Sequence, residues 1–214
     1  MSLLHGDPEL ARALACVRSV ARRDFLFAGA AVAAGAVIPT GALAETAAQA
    51  AKPAGEVTDE DRQYMAMALD RMREAGVVNK TGGPFGAVLV LDGKVLAVAG
   101  NSVMRDSDPS AHAEVNVLRE ACRKVGSPHV DGAVLYSSCE PCPMCYSVAY
   151  WARVGKIFYG ASYADYGDLF DDSNIAKDLN LPYGQRHIAV QQIMRPEAQK
   201  VWEEFRQLPD GARY

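Results

Sequence analysis

The sequence predicts an α/β domain, with one mixed five-stranded sheet covered by helices on both faces. Three observations carry this. Two short apolar segments flank Asp92-Gly93, strand-like and helix-like runs then alternate, and half of the 214 residues are hydrophobic. A tight turn gives an antiparallel hairpin, whereas strand–helix–strand alternation implies crossovers and a parallel portion of the sheet. A chain of this length can bury one ordinary core.

The chain before Thr58 reads differently from the rest. Arg22-Arg23 precede Phe25-Leu26 and an Ala/Gly/Val run to Ile38; Pro39 breaks the run, and Ala42–Ala44 offers an A-x-A cleavage site. That is the basic, apolar and small-residue order of an export signal, and its R-R-x-F-L start resembles the bacterial twin-arginine type. Cleavage is expected after Ala44, which makes residues 1–44 a signal peptide. Residues 45–57, rich in Ala with Pro53 and Gly55, are the expected flexible linker. The domain proper is 58–214. The expected location is the periplasm, or the cytoplasm if the signal does not act. The apolar run is too short and too weakly hydrophobic for a stable membrane span after processing.

Thr58 followed by Asp59, Glu60 and Asp61 is a helix start, a capping hydroxyl with acids in the first turn. Met65, Ala68, Leu69 and Met72 then recur at helical spacing up to Gly76. Phe85–Leu91 and Lys94–Ala99 read as two strands around the Asp92-Gly93 turn, which tolerates positive φ. A second helix is expected from Ser110 to Lys124, a buried strand at "AVLYSS", and a third helix from Cys142 to Ala152 with its prolines at the start. "KIFYG" is the next strand, "IAVQQIM" from Ile188 the fifth, and Pro196 opens a last helix through Phe205.

Charge narrows the partners. Residues 1–44 carry four arginines and three acidic residues, so their removal shifts the formal net charge from −4 to −5. Such a domain has no basic excess to hold a nucleic-acid backbone. The five cysteines, three of them clustered at 139, 142 and 145, are no disulfide framework.

The chemistry concentrates in two half-motifs. His112-Ala113-Glu114 lies at the start of the second helix, and Pro141-Cys142-Pro143-Met144-Cys145 at the start of the third. Cysteines three apart on a helix share a face and can bind one ion. Helix N-termini favour thiolate over thiol. One histidine and two thiolates leave a tetrahedral zinc one position for water, the catalytic rather than the structural pattern. Zinc makes that water acidic enough to supply hydroxide near neutral pH, and Glu114 would move the protons. Cys139 is a supporting residue at most. Cys122 falls on an apolar helix face and reads as core.

Together the half-motifs resemble the H-x-E…P-C-x-x-C signature of zinc deaminases and imply a three-layer cytidine-deaminase-like fold. A closer resemblance is to small zinc-dependent bacterial guanine deaminases. It rests on "GGPFGAVLV", "GNSVMRDSDPSAHAEVNVLREAC", "LYSSCEPCPMC", "YWARVGKIFYG" and "FDDSNIAKDL", in order along the domain. The resemblance implies conversion of guanine to xanthine and ammonia. It implies His112, Cys142 and Cys145 as zinc ligands and Glu114 as the proton shuttle. It further implies substrate contacts by Asn101, Asp172, Ala113, Phe85 and Trp151, and a homodimer in which a swapped C-terminal segment brings Tyr214 over the partner's site. An Asp172 carboxylate can accept from guanine N1–H and its exocyclic amine, whereas adenine lacks the N1–H. Two other readings stay open. One keeps the mechanism on guanosine, a pterin or an aminotriazine; the other is a non-catalytic zinc or redox protein of the cell envelope.

Overall fold

The computed structural model describes residues 55–212. The expected signal peptide, residues 45–54 of the linker and Tyr214 lie outside the described residues.

Helix α1 runs Asp59–Arg73 and continues as a π-helical turn over Glu74–Val78. Its start is a full capping box. Asp61 N–H donates to Thr58 Oγ1 at 3.1 Å, and the Asp61 carboxylate accepts from Thr58 N–H at 2.8 Å. Strands β1 (Gly86–Leu91) and β2 (Lys94–Gly100) follow as the expected hairpin. Asp92 and Gly93 both take positive φ, 50° and 71°, as a twist-matched two-residue turn requires. A bulge shifts the register between Leu89 and Val90. The short α2 (Val103–Asp106), which the pattern did not predict, leads into α3 (Ala113–Val125), and Gly126 ends α3 at φ 68°. Next come β3 (Val134–Cys139), α4 (Pro143–Trp151), β4 (Lys156–Ala161), α5 (Asp172–Leu179) and α6 (Arg195–Gln207).

The sheet is mixed, in the order β2-β1-β3-β4. β1 pairs antiparallel with β2 and β3, while β3 and β4 pair in parallel, joined by the α4 crossover. Side chains of β1 alternate between two cores. Ala87 and Leu89 join Val117, Leu118 and Ala121 of α3 and Ala149 of α4. Val88 and Val90 join Ala68 of α1 and Tyr136 of β3. The sheet is therefore a middle layer, with α1 on one face and α3 and α4 on the other.

The expected fifth strand does not form; among the described residues the sheet has four strands. Residues 188–194 carry no regular secondary structure, Ile188 and Ile193 are each 73% exposed, and Met194 takes a left-handed φ of 53°. Apolar alternation specifies a strand only where a neighbouring strand and a core face receive it. Here those side chains face outward.

Tyr136 anchors α1 to the sheet, donating its hydroxyl to Asp61 at 2.5 Å. That bond, then the backbone bond from Thr58, holds the Asp61 carboxyl below its usual range. A depressed carboxyl stabilises the fold above its unfolded value, about 3.9, and loses that effect as pH falls through the folded value. Thr58→Ala should lower stability by about 1 kcal/mol in urea unfolding at neutral pH. The gap to wild type should narrow in acid; a gap constant down to the acid limb would contradict this account.

Candidate active site

The site forms where two helices begin. His112 is the N-cap of α3, with extended φ −69° and ψ 154°. Cys142 is the N-cap of α4, with φ −64° and ψ 164°, and Pro143 opens the helix where its missing N–H costs nothing. Neither side chain serves as a cap hydrogen-bond acceptor for its own helix. Both point instead to a shared centre. His112 Nδ1 lies 3.7 Å from Cys142 Sγ and 3.5 Å from Cys145 Sγ, and the two sulfurs are 3.6 Å apart.

These separations fit zinc. Tetrahedral bonds of about 2.3 Å to sulfur and about 2.0 Å to nitrogen place two sulfurs about 3.8 Å apart and sulfur and nitrogen about 3.5 Å apart. The three donor atoms form the one candidate metal group among the described residues. Cys139 is not part of it. Cys139 ends β3 buried, beside the Ser138 hydroxyl at 3.7 Å, and burial pushes its thiol pKa up. Cys122 packs against the larger core, as its helix position predicts.

The shared hydrogen bond between the cysteines lowers the Cys142 thiol to about 4, against the opposing effect of its burial. The same bond, and then burial, pushes Cys145 up. His112 is raised, first by its bond to Cys142.

Glu114 sits in the first turn of α3, only 4% exposed. Because His112 stands outside the helix in extended backbone, the two side chains escape the divergence that i and i+2 would have on a regular helix. Burial raises the Glu114 carboxyl, while its own backbone N–H and Ser137 oppose the rise. Ser137 Oγ, from β3, donates to Glu114 Oε1 at 2.9 Å. A carboxyl raised toward neutrality and fixed in place can both accept and return a proton.

The other predicted residues fall into two groups. Asn101 is buried at the end of β2, its backbone N–H on the Phe85 carbonyl at 2.9 Å and its Oδ1 accepting from Val103 N–H at 3.1 Å. Ala113 begins α3, fully buried. Phe85 meets Phe170 edge-on at 5.0 Å and Tyr166 at 5.6 Å, an apolar aromatic wall. Asp172 begins α5 half-buried, its carboxyl raised first by burial and then by the Cys142 charge; the His112 charge and a hydrogen bond from Tyr166 oppose this. Trp151 instead ends α4, 59% exposed and edge-on to Tyr150 at 6.1 Å. It lies nine positions after Cys142, about 13 Å along the helix axis.

Three residues of the site were not predicted. Ser137 holds the shuttle, and Phe170 completes the wall. Gly82 makes room, since a Cβ there would fall 1.9 Å from Asn101 Oδ1. The paired glycines ahead of Phe85 were the available signal for that close approach.

Two thiolates, a histidine and a buried carboxyl define the centre of a zinc-dependent hydrolytic deaminase. Residues 58–161 match the cytidine and deoxycytidylate deaminase zinc-binding region. The guanine deaminase of Bacillus subtilis (strain 168) is 41% identical over 140 residues, which span 65% of this chain and 90% of that protein. Its X-ray structure superposes with a TM-score of 0.69 at 38% identity, covering 72% of this chain and 98% of the other. The tRNA-specific adenosine deaminase of Agrobacterium fabrum is 43% identical over 102 residues, 48% of this chain and 66% of that protein. The chain belongs to the cytidine and deoxycytidylate deaminase family.

Proposed function

We propose that the protein hydrolyses guanine to xanthine and ammonia. The observation that carries this is the buried Glu114 beside three donors at zinc spacing, in a chain that matches a guanine deaminase over 140 residues. The match to a tRNA deaminase is shorter, at 102 residues, and the acidic domain offers no basic track for an RNA backbone.

His112, Cys142 and Cys145 would hold the zinc, which when bound would supply a water that is acidic near neutral pH. The chain's own groups do the rest. The Phe85–Phe170 wall gives a neutral purine an apolar slot, and Asn101 and Asp172 supply fixed polar partners. Asp172 accepts from N1–H and the exocyclic amine, fixing the orientation of the amine-bearing carbon. Glu114 takes the proton of the attacking water and passes it to the adjacent ring nitrogen. It then takes the proton of the newly added hydroxyl and gives it to the amine, so that the carbonyl forms as the carbon–nitrogen bond breaks and ammonia leaves. Its raised carboxyl and its bond to Ser137 suit both directions of transfer.

A homodimer with exchanged C-terminal segments is part of the proposal. Ile188, Ile193 and Trp202 are exposed in the single chain, as are Tyr146 and Tyr150 of α4. Apolar surface of this kind is covered in stable assemblies. In this arrangement Tyr214 caps the partner's pocket and Trp151 forms part of its surround. Export through the twin-arginine route is proposed from Arg22-Arg23. That route carries folded protein, so metal-held thiolates would be shielded in an oxidising compartment.

Zinc-replete protein should release ammonia from guanine in preference to guanosine, pterins and aminotriazines. Glu114→Gln should keep its zinc and lose at least about a hundredfold in turnover. Inactivity on guanine with turnover of another substrate in the panel would sink the assignment. Light scattering should give twice the monomer mass, and removal of residues 188–214 should return a monomer; an intact monomer rules out the exchange. Arg22→Lys with Arg23→Lys should retain the protein in the cytoplasm, and unchanged periplasmic amounts would exclude the route.

A further inference from the structure

Two prolines flank Cys142, and between them they leave one peptide of the metal-bearing turn free to move. A proline ring fixes its own φ and holds the residue before it extended. In Glu140-Pro141-Cys142-Pro143 this sets φ at Pro141 and Pro143 and keeps Glu140 and Cys142 extended. Cys142 conforms, with ψ 164°. Glu140 is also held by its N–H, which donates to the Ala161 carbonyl at 2.8 Å and continues the ladder just past the Cys139–Ala161 pair. The torsions left over are ψ of Pro141 and φ of Cys142. Both turn the same unit, the plane of the Pro141–Cys142 peptide.

The sheet does not hold that plane. Pro141 has no N–H, and β3 and β4 have already ended. A side chain satisfies the Pro141 carbonyl instead. Tyr163 donates its hydroxyl to it at 2.6 Å, within the ordinary range for such a bond. Tyr163 is itself fixed. It opens the 3-10 turn Tyr163–Asp165, which a capping box of Ser162 and Asp165 closes. Its N–H donates to the Glu140 carboxylate at 3.3 Å, and its ring stands edge-on to Tyr166 at 6.2 Å. A second phenol reaches the turn one residue earlier. Tyr166 donates to the Glu140 carbonyl at 3.3 Å, a longer and weaker contact on a residue whose torsions are already restricted.

Turned singly, either free torsion carries Cys142 away from His112, which stands on another helix. Turned together in opposite senses, they flip the carbonyl off Tyr163. The Tyr163 bond opposes both movements. The 3.6 Å from Cys142 Sγ to Cys145 Sγ and the 3.7 Å to His112 Nδ1 belong to the orientation that it holds.

We infer that Tyr163 is a positioning residue for the metal centre, its hydroxyl pinning the Pro141–Cys142 peptide and so keeping the Cys142 sulfur at zinc distance from its two partners. The inference rests on His112, Cys142 and Cys145 as the zinc donors. Partners outside a metal's own ligands commonly orient the ligand side chain. Here the hydroxyl acts on the backbone, one peptide before the ligand. The turn after β4 is thereby coupled to a centre to which it supplies no donor.

Zinc affinity by competition with a chromogenic chelator tests this, together with the spectrum of cobalt-substituted protein, whose thiolate-to-metal band follows the number of bound sulfurs. Tyr163→Phe keeps the ring and should weaken zinc about tenfold. Its thiolate-to-cobalt band should stay below that of the parent even at saturating cobalt, because Cys142 is off the ion part of the time. Tyr166→Phe removes the weaker bond, on the residue already restrained, and should lose less than about twofold in zinc affinity with the full band kept. Unchanged zinc affinity in Tyr163→Phe, an equal loss in both variants, or a full band at saturation would each overturn the positioning role. If both variants melt at a lower temperature, the comparison still decides, because general loosening weakens zinc in both alike. A parent protein with no thiolate-to-cobalt band would overturn the three-donor reading itself, and the role of Tyr163 with it.

Discussion

The structure depends on two helix N-termini meeting at one point. α3 and α4 each begin with a residue that has surrendered the usual capping role, His112 in one and Cys142 in the other. A serine, threonine or acid there would satisfy the helix's own N–H groups. These residues turn outward to a shared centre, leaving the first-turn N–H groups and their partial positive charge beside the thiolates. Helix stability is exchanged locally for a donor set spaced for zinc. The same placement fixes Glu114, one turn in, with Ser137 of β3 behind it.

The supporting architecture answers to that junction. β1 is central, bonded on both sides, and its alternating residues feed two separate cores. β3 delivers the cysteine turn, and the segment after β4 returns across it to supply Tyr163, Tyr166 and Phe170. The polar groups of the site therefore come from different stretches of chain, while the apolar wall and the metal donors share a rigid frame. Such a frame allows orientation without rearrangement, which electrostatic catalysis needs.

Much of this was legible where the signal is local. The Thr58 cap, the positive-φ Asp92-Gly93 pair and the proline at the start of α4 each follow from neighbouring residues. The metal donors were legible because cysteine and histidine at such spacing have few other uses. The fifth strand was misread because alternation at Ile188 and Val190 resembles a strand whether or not a core receives it. The short α2 and the π-helical end of α1 escaped because neither has a distinctive pattern. Ser137, Gly82 and Tyr163 escaped for another reason. Their significance lies in what other segments bring near them, and a hydroxyl or a glycine in a sequence does not announce its tertiary partner.

The donor set also has a consequence for how the chain acquires its metal. Cys142 and Cys145 are near neighbours, but His112 lies 33 residues before Cys145, across α3 and β3. A disordered chain thus offers only a two-sulfur chelate, and closing the loop to the imidazole costs entropy. The hairpin of β1 and β2 is short-range and can form early, whereas the three-donor site exists only once both helices stand on the sheet. The full affinity for the ion therefore belongs to the folded pair of helices, and metal-binding and folding free energies are coupled.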